Sequence, residues 1–408
     1  MKRVLFIIPS LGIGGLERVQ VTLANKLVQR GYDVTVMTLF AVDELKDELD
    51  WRVHFVYKPP KRHLCNRIPY IRNKFYDDGM WETRASAKQL YDYYVGNEKY
   101  DVEIAFFRGM PVKILSGSPR NSNKSTTISK KSASTHPIDE KNIDFDSKII
   151  EHRSLAWVHT DFERATGYLN NFKNLREVFE AYASYDHVVC VSKQAAEGFQ
   201  KAIGDTGNIT TIYNLLPVDR IKQLADEKSE LQIRKAKLHL TIVARLLDSA
   251  KGQVRLVNVV CRLHDEGVGV SLAIIGGGVD YQRLQQVVSN NHAESYIEVT
   301  GELRNPYPYI KEADLLVCAS YFEGYNLTVS EALILGTPVL STDCTGPNEI
   351  LDYGKYGMIV ENSEEGLYNG LKQFADDPDL LKEYREKALQ RQEFFDEDRI
   401  LKRITDLY

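Results

Sequence analysis

The chain has 408 residues, of which 43% are hydrophobic and 27% are charged, and its formal net charge is -5. This length exceeds what one ordinary core holds, so two domains are expected, and the composition excludes a fibrous or disordered protein. No run approaches the roughly 18 apolar residues of a transmembrane helix. The five cysteines are scattered and odd in number, which argues against a disulfide framework or a metal site and favours a cytoplasmic protein.

Apolar runs alternate with helical patterns along the first half of the chain. A helix is predicted over residues 16–30, because apolar residues recur there at helical spacing and Gly31 follows as a C-cap. Strands are predicted at residues 3–9, 33–39, 53–57, 102–106, 155–159 and 187–192. Strands that alternate with helices predict a parallel sheet with helices on both of its faces.

The same alternation restarts in the second half, near residues 209–213. Further strands are predicted there at residues 238–244, 271–275, 296–299, 314–319, 338–341 and 357–360. The predicted fold class is therefore α/β, with two doubly wound, Rossmann-like domains and a cleft between the carboxyl edges of their strands. The domain boundary is expected between residues 205 and 236, and a charged helical tail is expected over 378–408.

Two segments depart from this alternation. The segment from Lys58 to Lys74 carries six Lys and Arg side chains and no acid, with apolar residues between them. Such a segment suits an anionic membrane surface or an anionic acceptor, and equally a solvated basic loop. The segment from Gly117 to Lys148 is rich in Ser, Asn, Lys and Thr, which predicts a surface loop or an insertion without a catalytic group.

The segment from Glu323 to Leu333 is the most informative part of the sequence. It follows an apolar strand pattern and opens a helical pattern that stops at Gly336 and Pro338. A helix N-terminus suits a phosphate, and the two carboxylates of Glu323 and Glu331 suit sugar hydroxyls on either side of it. We interpret the segment as a nucleotide-sugar site. The alternative is a solvated loop acid at Glu323 and a first-turn acid, favoured by the helix dipole, at Glu331.

Three further patterns follow strands of the second half. Arg245 ends a strand and Lys251 comes six residues later, and the two cations together suit a diphosphate leaving group, although each alone is more often surface charge. Gly277 is the centre of a triple glycine, which suits the close approach of a base or phosphate or else a flexible turn. Gly346 lies in a compact turn that suits a wall of the same site.

Two patterns of the first half are also candidates. Gly14 and Gly15 follow the first strand and open a helix, which suits an anion or simply a tight turn. A nicotinamide-dinucleotide site is the rival interpretation, but the spacing is not G-x-G-x-x-G and no acid ends the second strand. His159 ends a strand, so its ring is expected to reach the crevice and bind a sugar hydroxyl, although a lone His is more often structural.

Taken in this order, these residues resemble the retaining glycosyltransferases of the GT-B fold, family four, which are the glycosyl transferases group 1 type. The resemblance is strongest from Glu323 to Pro338, and it extends to Arg245 with Lys251. It implies an acceptor-binding domain over 1–205 and a nucleotide-sugar-binding domain over 206–385. It also implies a C-terminal helix, over 386–408, that crosses back to the first domain.

The resemblance also assigns roles within the site. Arg245 and Lys251 would hold the diphosphate, Glu331 the ribose, and Glu323 the sugar, while His159 would contact the donor sugar at its reacting face. The catalytic candidates are His159, Glu323, Arg245 and Lys251. The donor-binding candidates are Gly14, Gly15, Arg245, Lys251, Gly277, Glu323, Gly324, Tyr325, Asn326, Leu327 and Glu331.

The reaction implied by the resemblance retains the anomeric configuration without a protein nucleophile. The leaving diphosphate takes the acceptor proton in a front-face attack, while the protein positions the reactants and neutralises charge. The expected donor is a nucleotide sugar, preferably a UDP-sugar, and no metal or other cofactor is expected. The expected acceptor is a glycan or a lipid-linked sugar of surface polysaccharide biosynthesis, such as capsule.

The enzyme is expected in the cytoplasm, at the inner face of the cell membrane, where the segment from Lys58 to Lys74 would meet anionic lipid. No nucleic acid is expected as a partner. Two alternatives stay open: another GT-B enzyme, such as a sugar-nucleotide epimerase, and a non-catalytic nucleotide-sugar-binding subunit that stabilises a partner transferase.

Overall fold

The computed structural model describes residues 1–60, 80–120, 152–163, 169–229 and 236–408. Its chain divides into two compact units, the first made of Met1–Asn214 with Leu401–Tyr408 and the second of Leu215–Ile400. The division falls after Asn214, within the range 205–236 expected for the boundary, and the last segment of the first unit begins at Leu401. Most of the basic segment from Lys58 to Lys74, and of the polar segment from Gly117 to Lys148, lies outside the described residues.

The first unit is built on a parallel sheet. Its described strands are β1 Arg3–Ile8, β2 Asp33–Thr38, β3 His54–Tyr57, β4 Val102–Ala105, β5 Arg153–Val158, β6 His187–Cys190 and β7 Ile209–Thr211. They lie in the order β3-β2-β1-β4-β5-β6-β7. The side chains of β1, β4 and β5 are almost continuously buried, as expected of strands that helices cover on both faces of the sheet.

Helices connect these strands. Those described are α1 Gly15–Gln29, α2 Met80–Arg84, α3 Ala87–Tyr94, α4 Met110–Ser116, α5 Leu175–Ala183 and α6 Lys193–Ile203, with a 3-10 turn at Lys46–Glu48. Helix α1 buries Val19, Leu23 and Leu27, which are the apolar positions of its helical pattern. Gly31 follows with a φ of +84°, a conformation that glycine adopts without strain, so the predicted stop is confirmed.

One predicted strand belongs to the other unit. The sequence placed residues 209–213 at the start of the second half, but Ile209–Thr211 pairs with His187–Cys190 in the first sheet. This edge strand is only three residues long and half-buried throughout. The prediction was wrong because this apolar pattern is too short to indicate which sheet the strand joins, and pairing with β6 decides it.

The second unit repeats the architecture. Its described strands are β8 Leu238–Val243, β9 Val270–Ile275, β10 Ile297–Gly301, β11 Leu315–Cys318, β12 Val339–Thr342 and β13 Met358–Val360. Its helices are α7 Val218–Ala225, α8 Asp248–Lys251, α9 Gln253–Asp265, α10 Tyr281–Asn290, α11 Tyr307–Glu312, α12 Leu327–Leu335, α13 Pro347–Ile350, α14 Glu364–Asp376 and α15 Pro378–Arg391. A 3-10 turn, Gln392–Phe395, and α16 Glu397–Thr405 end the chain, and α16 includes the division at Leu401.

The strand order of both sheets is that of a doubly wound fold, and in the second sheet it defines a switch point. The second sheet runs β10-β9-β8-β11-β12-β13, so both sheets grow outward from two central strands, in the manner of a doubly wound fold. This confirms the predicted α/β class with two Rossmann-like units. In the second sheet the order reverses between β8 and β11, which pair in parallel. Ligands of open α/β sheets bind outside the carboxyl ends of the strands at this switch point.

Candidate functional site

The switch point of the second unit carries the acid and the cations that the sequence singled out. Arg245 and Lys251 follow β8, and Glu323 follows β11. The two strands are neighbours, so the segments that leave their carboxyl ends meet at one edge of the sheet. The structure brings Lys251 and Glu323 into direct contact there, with Nζ and Oε1 2.6 Å apart.

Glu323 is held by three donors on one oxygen. Its Oε1 accepts hydrogen bonds from Lys251 Nζ at 2.6 Å, Ser320 Oγ at 2.7 Å and Asn326 Nδ2 at 3.0 Å. The residue is only 9% exposed, so these charge-assisted contacts fix its position. All three contacts are to Oε1, and Oε2 makes no hydrogen bond to the residues the structure describes. The carboxylate therefore keeps one oxygen with which to accept a ligand hydroxyl.

Asn326 links this carboxylate to the start of helix α12. Its side-chain oxygen accepts from the backbone N–H of Val329 at 3.0 Å, which makes it the N-cap, and its amide donates to Glu323. Its φ is +70°, a left-handed conformation that asparagine tolerates better than most side chains. Helix α12 begins at Leu327 and ends at Leu335, before Gly336 at a φ of +75°, as the sequence predicted.

Glu331 lies inside helix α12 and is not in its first turn, because Leu327 is the first helical residue. A first-turn acid placed there by the helix dipole is therefore not what the structure contains. Tyr307, in α11, donates its hydroxyl to Oε1 of Glu331 at 3.2 Å, and the acid is 9% exposed. No sequence pattern indicated Tyr307, because its contact with Glu331 depends on the packing of α11 against α12.

The triple glycine positions the segment that carries Arg245. A Cβ at Gly276 would lie 1.9 Å from the carbonyl oxygen of Ala244, and one at Gly278 would lie 2.3 Å from that of Leu246. These glycines let two backbones approach closely, so their first role is structural. Between them, a Cβ at Gly277 would meet Glu302 at 3.3 Å. The side chain of Arg245 is exposed and forms no ion pair with a described residue.

Two residues that the sequence did not indicate, buried Arg255 and half-buried Asn362, support the loop of Glu323. Arg255, on α9, donates from Nε at 3.0 Å and from Nη2 at 2.6 Å to the carbonyl of Ala319. Its guanidinium lies 3.9 Å from the centre of the Tyr321 ring and also binds Asn362. Asn362 in turn donates to the carbonyl of Tyr321 at 3.1 Å. The backbone before Glu323 is therefore held from two sides.

The turn after β12, which contains Gly346, packs against the loop of Glu323, as its compact pattern suggested. Gly346 has a φ of +89°, and a Cβ there would lie 2.7 Å from the carbonyl oxygen of Tyr325. Tyr325 itself is 3% exposed, so its ring belongs to the packing of the loop, while Gly324 is half-buried. Any side chain at position 346 would push the two loops apart.

In the first unit, Gly14 and Gly15 lie between β1 and α1, where the sequence placed them. Gly14 is the N-cap residue of α1 in an extended conformation, and Gly15 is its first helical residue. A Cβ at Gly14 would lie 2.2 Å from Oε2 of Glu17. The carboxylate of Glu17 thus lies against Gly14 in the first turn of the helix, where its charge is favourable to the helix dipole.

His159 follows the last residue of β5, on the carboxyl edge of the first sheet. Its ring lies 4.7 Å from the ring of Phe106, and its Nε2 has no contact with solvent or with a hydrogen-bond partner among the described residues. Burial lowers the pKa of His159 to about 3. The imidazole is therefore neutral at physiological pH, so it can donate or accept a hydrogen bond but does not supply positive charge.

Within the described part of the chain, no group of three or more His, Cys, Asp or Glu residues is arranged to hold a metal ion. The same residues include no helix with both the length and the apolar character needed to span a bilayer.

Residues 237–377, which contain the whole switch-point site of the second unit, match the model of the family Glycosyl transferases group 1. The match confirms the resemblance that the residues from Glu323 to Pro338 indicated.

Two curated relatives are glycosyltransferases. An uncharacterized glycosyltransferase of Methanocaldococcus jannaschii is 29% identical over 262 residues, which are 55% of this chain and 64% of the relative. The Campylobacter jejuni N-acetylgalactosamine-N,N'-diacetylbacillosaminyl-diphospho-undecaprenol 4-alpha-N-acetylgalactosaminyltransferase is 30% identical over 191 residues, 46% of this chain and 50% of the relative. The chain thus matches between half and two thirds of the length of these relatives.

Among solved structures, HepE of Anabaena in complex with UDP has the same fold. The two chains superpose with a TM-score of 0.68 at 16% identity, over 100% of this chain and 99% of HepE. The likeness includes both Rossmann-like units, so the predicted GT-B fold is confirmed. The chain therefore has the GT-B fold, and its residues 237–377 match the group 1 glycosyl transferases.

Proposed function

We propose that this protein is a retaining glycosyltransferase that transfers a sugar from a nucleotide sugar, a UDP-sugar, to a glycan or lipid-linked acceptor of surface polysaccharide biosynthesis. The observation that carries the proposal is the state of Glu323. Its Oε1 is fixed by Lys251, Ser320 and Asn326, while its Oε2 makes no bond to a described residue. A rigid, nearly buried carboxylate with one available oxygen suits a sugar hydroxyl.

The groups around Glu323 suit the rest of a nucleotide sugar. Arg245 is exposed at the end of β8, and with the amine of Lys251 it can neutralise a diphosphate. Glu331, held by Tyr307, is assigned to the ribose hydroxyls. The amides of residues 324–327, at the start of α12, are assigned to the distal phosphate. HepE, which shares the fold, was solved with UDP, and this supports UDP as the nucleotide.

The proposed mechanism needs no protein nucleophile. The acceptor hydroxyl attacks the anomeric carbon on the face from which the diphosphate leaves, the bond from that carbon to the diphosphate breaks, and the diphosphate takes the acceptor proton. Arg245 and Lys251 stabilise the charge that develops on the leaving group. Neutral His159 is assigned a hydrogen bond to the donor sugar, because its low pKa excludes a cationic role. We propose that the reaction proceeds without a metal ion.

The acceptor class and the location are proposed from the name of a relative and from the charge of one segment. The Campylobacter jejuni relative is named for transfer to an undecaprenol-linked diphosphate sugar, and this name supports a lipid-linked acceptor here. The segment from Lys58 to Lys74 carries positive charge of the kind that anionic lipid attracts. We therefore propose a cytoplasmic enzyme that works at the inner face of the cell membrane, for example in capsule assembly.

The donor is tested by thermal shift with UDP-, GDP-, ADP- and CDP-sugars. A ligand that binds only the folded state raises the melting temperature by mass action, and we expect this of one nucleotide class. Glu331→Gln should lose most of the shift, because an amide cannot accept from two ribose hydroxyls as a carboxylate does. The matched control is Glu364→Gln, an exposed acid in the first turn of α14, which should keep the shift.

Turnover separates an enzyme from a binding subunit. With the donor identified, the purified protein and a panel of lipid-linked and glycan acceptors should release the nucleoside diphosphate and form an α-linked product from an α-linked donor, as read by NMR. His159→Gln should lower the rate of turnover while the donor shift stays. A wild-type protein that binds a donor but turns over none of these acceptors would favour the non-catalytic subunit. No shift with any nucleotide sugar would contradict the donor site itself.

A further inference from the structure

Two thiols lie together directly beside the loop of Glu323. Cys318 is the last residue of β11, and Cys344 comes two residues after β12 ends. The two strands pair in parallel, with Cys318 opposite Ser341, so the chain brings both cysteines to the same edge of the sheet. Their side chains are hydrogen-bonded to each other. Both residues are free thiols and are buried, at 4% and 2% exposure.

The sulfur of Cys318 lies in a setting that favours its thiolate form. It accepts a hydrogen bond from Asn326 Nδ2 at 3.2 Å, in addition to the bond from Cys344. The hydrogen bond from Cys344 lowers the pKa of Cys318, and the backbone N–H of Ser320 and the hydroxyl of Ser341 act in the same direction. The same contact with Cys318 and burial raise the pKa of Cys344. The pair thus contains one thiol whose lowered pKa favours the reactive thiolate form and a second thiol in contact with it.

The thiol pair is coupled to Glu323 through one side chain. The amide of Asn326 donates both to the sulfur of Cys318 and to Oε1 of Glu323, while its oxygen caps helix α12. Cys344 leads into the turn of Gly346, which packs against the backbone of Tyr325. A change in the bonding of the two sulfurs would therefore affect the Glu323 loop both through Asn326 and through the turn of Gly346.

We propose that Cys318 and Cys344 form a reversible disulfide on exposure to a peroxide, and that this disulfide weakens donor binding at Glu323. The first part stands on the placement of the two thiols, and the second part rests on the proposed function. The site is a modification site for an oxidant of the peroxide class, with a dithiol as the reductant that restores it.

The chemistry balances without a cofactor. The Cys318 thiolate attacks one oxygen of hydrogen peroxide, its O–O bond breaks, and a sulfenic acid forms as hydroxide leaves and takes a proton to become water. The sulfur of Cys344, which gives up its proton, then attacks the sulfenic sulfur, and a second water leaves as the S–S bond forms. In sum, two thiols are oxidised to one disulfide and one peroxide is reduced to two waters.

The other described cysteines differ from this pair. Burial raises the pKa of Cys190 to about 12 and also raises the pKa of Cys261. No other described cysteine is among the groups that shift the pKa of either residue. A raised pKa keeps a thiol protonated and slow to react, so these two residues should stay reduced when Cys318 is oxidised. Cys261, in the second unit like the pair, supplies the matched control.

The test treats the full-length protein with hydrogen peroxide and maps its cysteines by mass spectrometry without reduction. We expect the intact mass to fall by two hydrogens and the peptides of Cys318 and Cys344 to be joined, with reversal by dithiothreitol. Cys344→Ser should abolish the crosslink, whereas Cys261→Ser should keep it. No loss of mass, or a sulfinic acid at Cys318 without the joined peptides, would overturn the proposal.

Donor binding is then measured by thermal shift with UDP-glucose as the probe. The reduced wild type should be stabilised, the oxidised wild type should lose at least half of that shift, and Cys344→Ser should keep the same shift before and after peroxide. An equal shift in oxidised and reduced wild type would overturn the coupling to Glu323. If the reduced protein is not stabilised by any nucleotide sugar, the proposed donor site fails while the mapped disulfide stands, so the two failures are distinguishable.

Discussion

The amine of Lys251 and the carboxylate of Glu323 form an ion pair in which Nζ and Oε1 lie 2.6 Å apart. The pair joins the segments that leave two neighbouring strands at the switch point of the second sheet. The side chains are 23% and 9% exposed, so water screens this contact less than a surface pair. Each charge has its partner within the protein, and a bound diphosphate would share the amine of Lys251 with Glu323.

Removal of the Lys251 charge should therefore weaken donor binding strongly. Lys251→Met keeps most of the side-chain volume but leaves Glu323 with two neutral donors and the diphosphate with one cation fewer. We expect the dissociation constant of UDP-glucose, measured by calorimetry, to rise about tenfold or more, which corresponds to about 1.4 kcal/mol. Lys382→Met is the control, because Lys382 and its partner Asp379 are both largely exposed. Equal affinity in the two variants would contradict a role for Lys251 in donor binding.

Substitutions of Asn326 test the stability of helix α12 separately from the binding of the donor. Asn326→Asp keeps an N-cap oxygen for Val329 and tolerates the φ of +70°, but it cannot donate to Glu323 and places a second negative charge beside it. We expect a melting temperature near that of the wild type and a large loss of UDP-glucose affinity.

Asn326→Ala makes the complementary test. It removes the cap and places a residue without a polar side chain at a positive φ, so the free energy of unfolding should fall by about 1–3 kcal/mol. Chemical denaturation measures this difference. If Asn326→Asp and Asn326→Ala lower the free energy of unfolding equally, the hydrogen bond between the Val329 N–H and the side chain at position 326 does not stabilise helix α12.

The strands and the main motif could be predicted from sequence because they depend on local patterns. The buried strand β11, the loop acid Glu323, and the helix from Leu327 to Gly336 all follow from an apolar run and from cap and stop residues. The edge strand β7 could not be assigned to the correct sheet, because three half-buried residues carry too little pattern.

Contacts between distant segments are what the sequence could not show. Lys251 and Glu323 were both singled out, but nothing in their spacing of 72 residues indicates that they touch. Tyr307 and Arg255 were missed altogether, because an aromatic or an arginine on a helix is most often part of its surface or core pattern. Asn326 was singled out as a donor-binding candidate, but its positive φ and its role as an N-cap appear only in the structure.

Arg255 gives a prediction about the support of the Glu323 loop. Its guanidinium makes two hydrogen bonds to Ala319 and one to Asn362, and burial lowers its pKa. A lysine cannot reproduce this planar, multiple donation, so Arg255→Lys should lower the free energy of unfolding by about 2 kcal/mol and weaken UDP-glucose binding.

Helix α9 offers a matched control in Arg262. This arginine also stacks on a tyrosine, Tyr368, and binds a carboxylate, Glu365, but both partners of the ion pair are about half exposed or more. Arg262→Lys should change stability by less than about 0.5 kcal/mol. Urea denaturation compares the two variants. A similar loss of unfolding free energy in both would show that the contact of Arg255 with Ala319 contributes no more to stability than the exposed contacts of Arg262.

His159 predicts how stability depends on pH. Its folded-state pKa is about 3, because burial disfavours the charged ring, while an unfolded chain has a histidine pKa of about 6.5. Above about pH 6.5 the ring is neutral in both states and the native state has its full stability. As the pH falls from about 6.5 towards about 3, the unfolded chain binds a proton that the native protein does not, so stability falls by at most about 1.4 kcal/mol per pH unit.

His159→Gln should remove this contribution, because an amide does not titrate. We expect urea denaturation of the variant between pH 7 and pH 4.5 to show a smaller loss of stability than the wild type, whatever the difference at pH 7. His54→Gln is the control, since it removes an exposed imidazole from the surface of the same unit and leaves His159 in place. If the wild type and His159→Gln lose stability in parallel, the ring of His159 is not the neutral group that its packing against Phe106 and its buried Nε2 indicate.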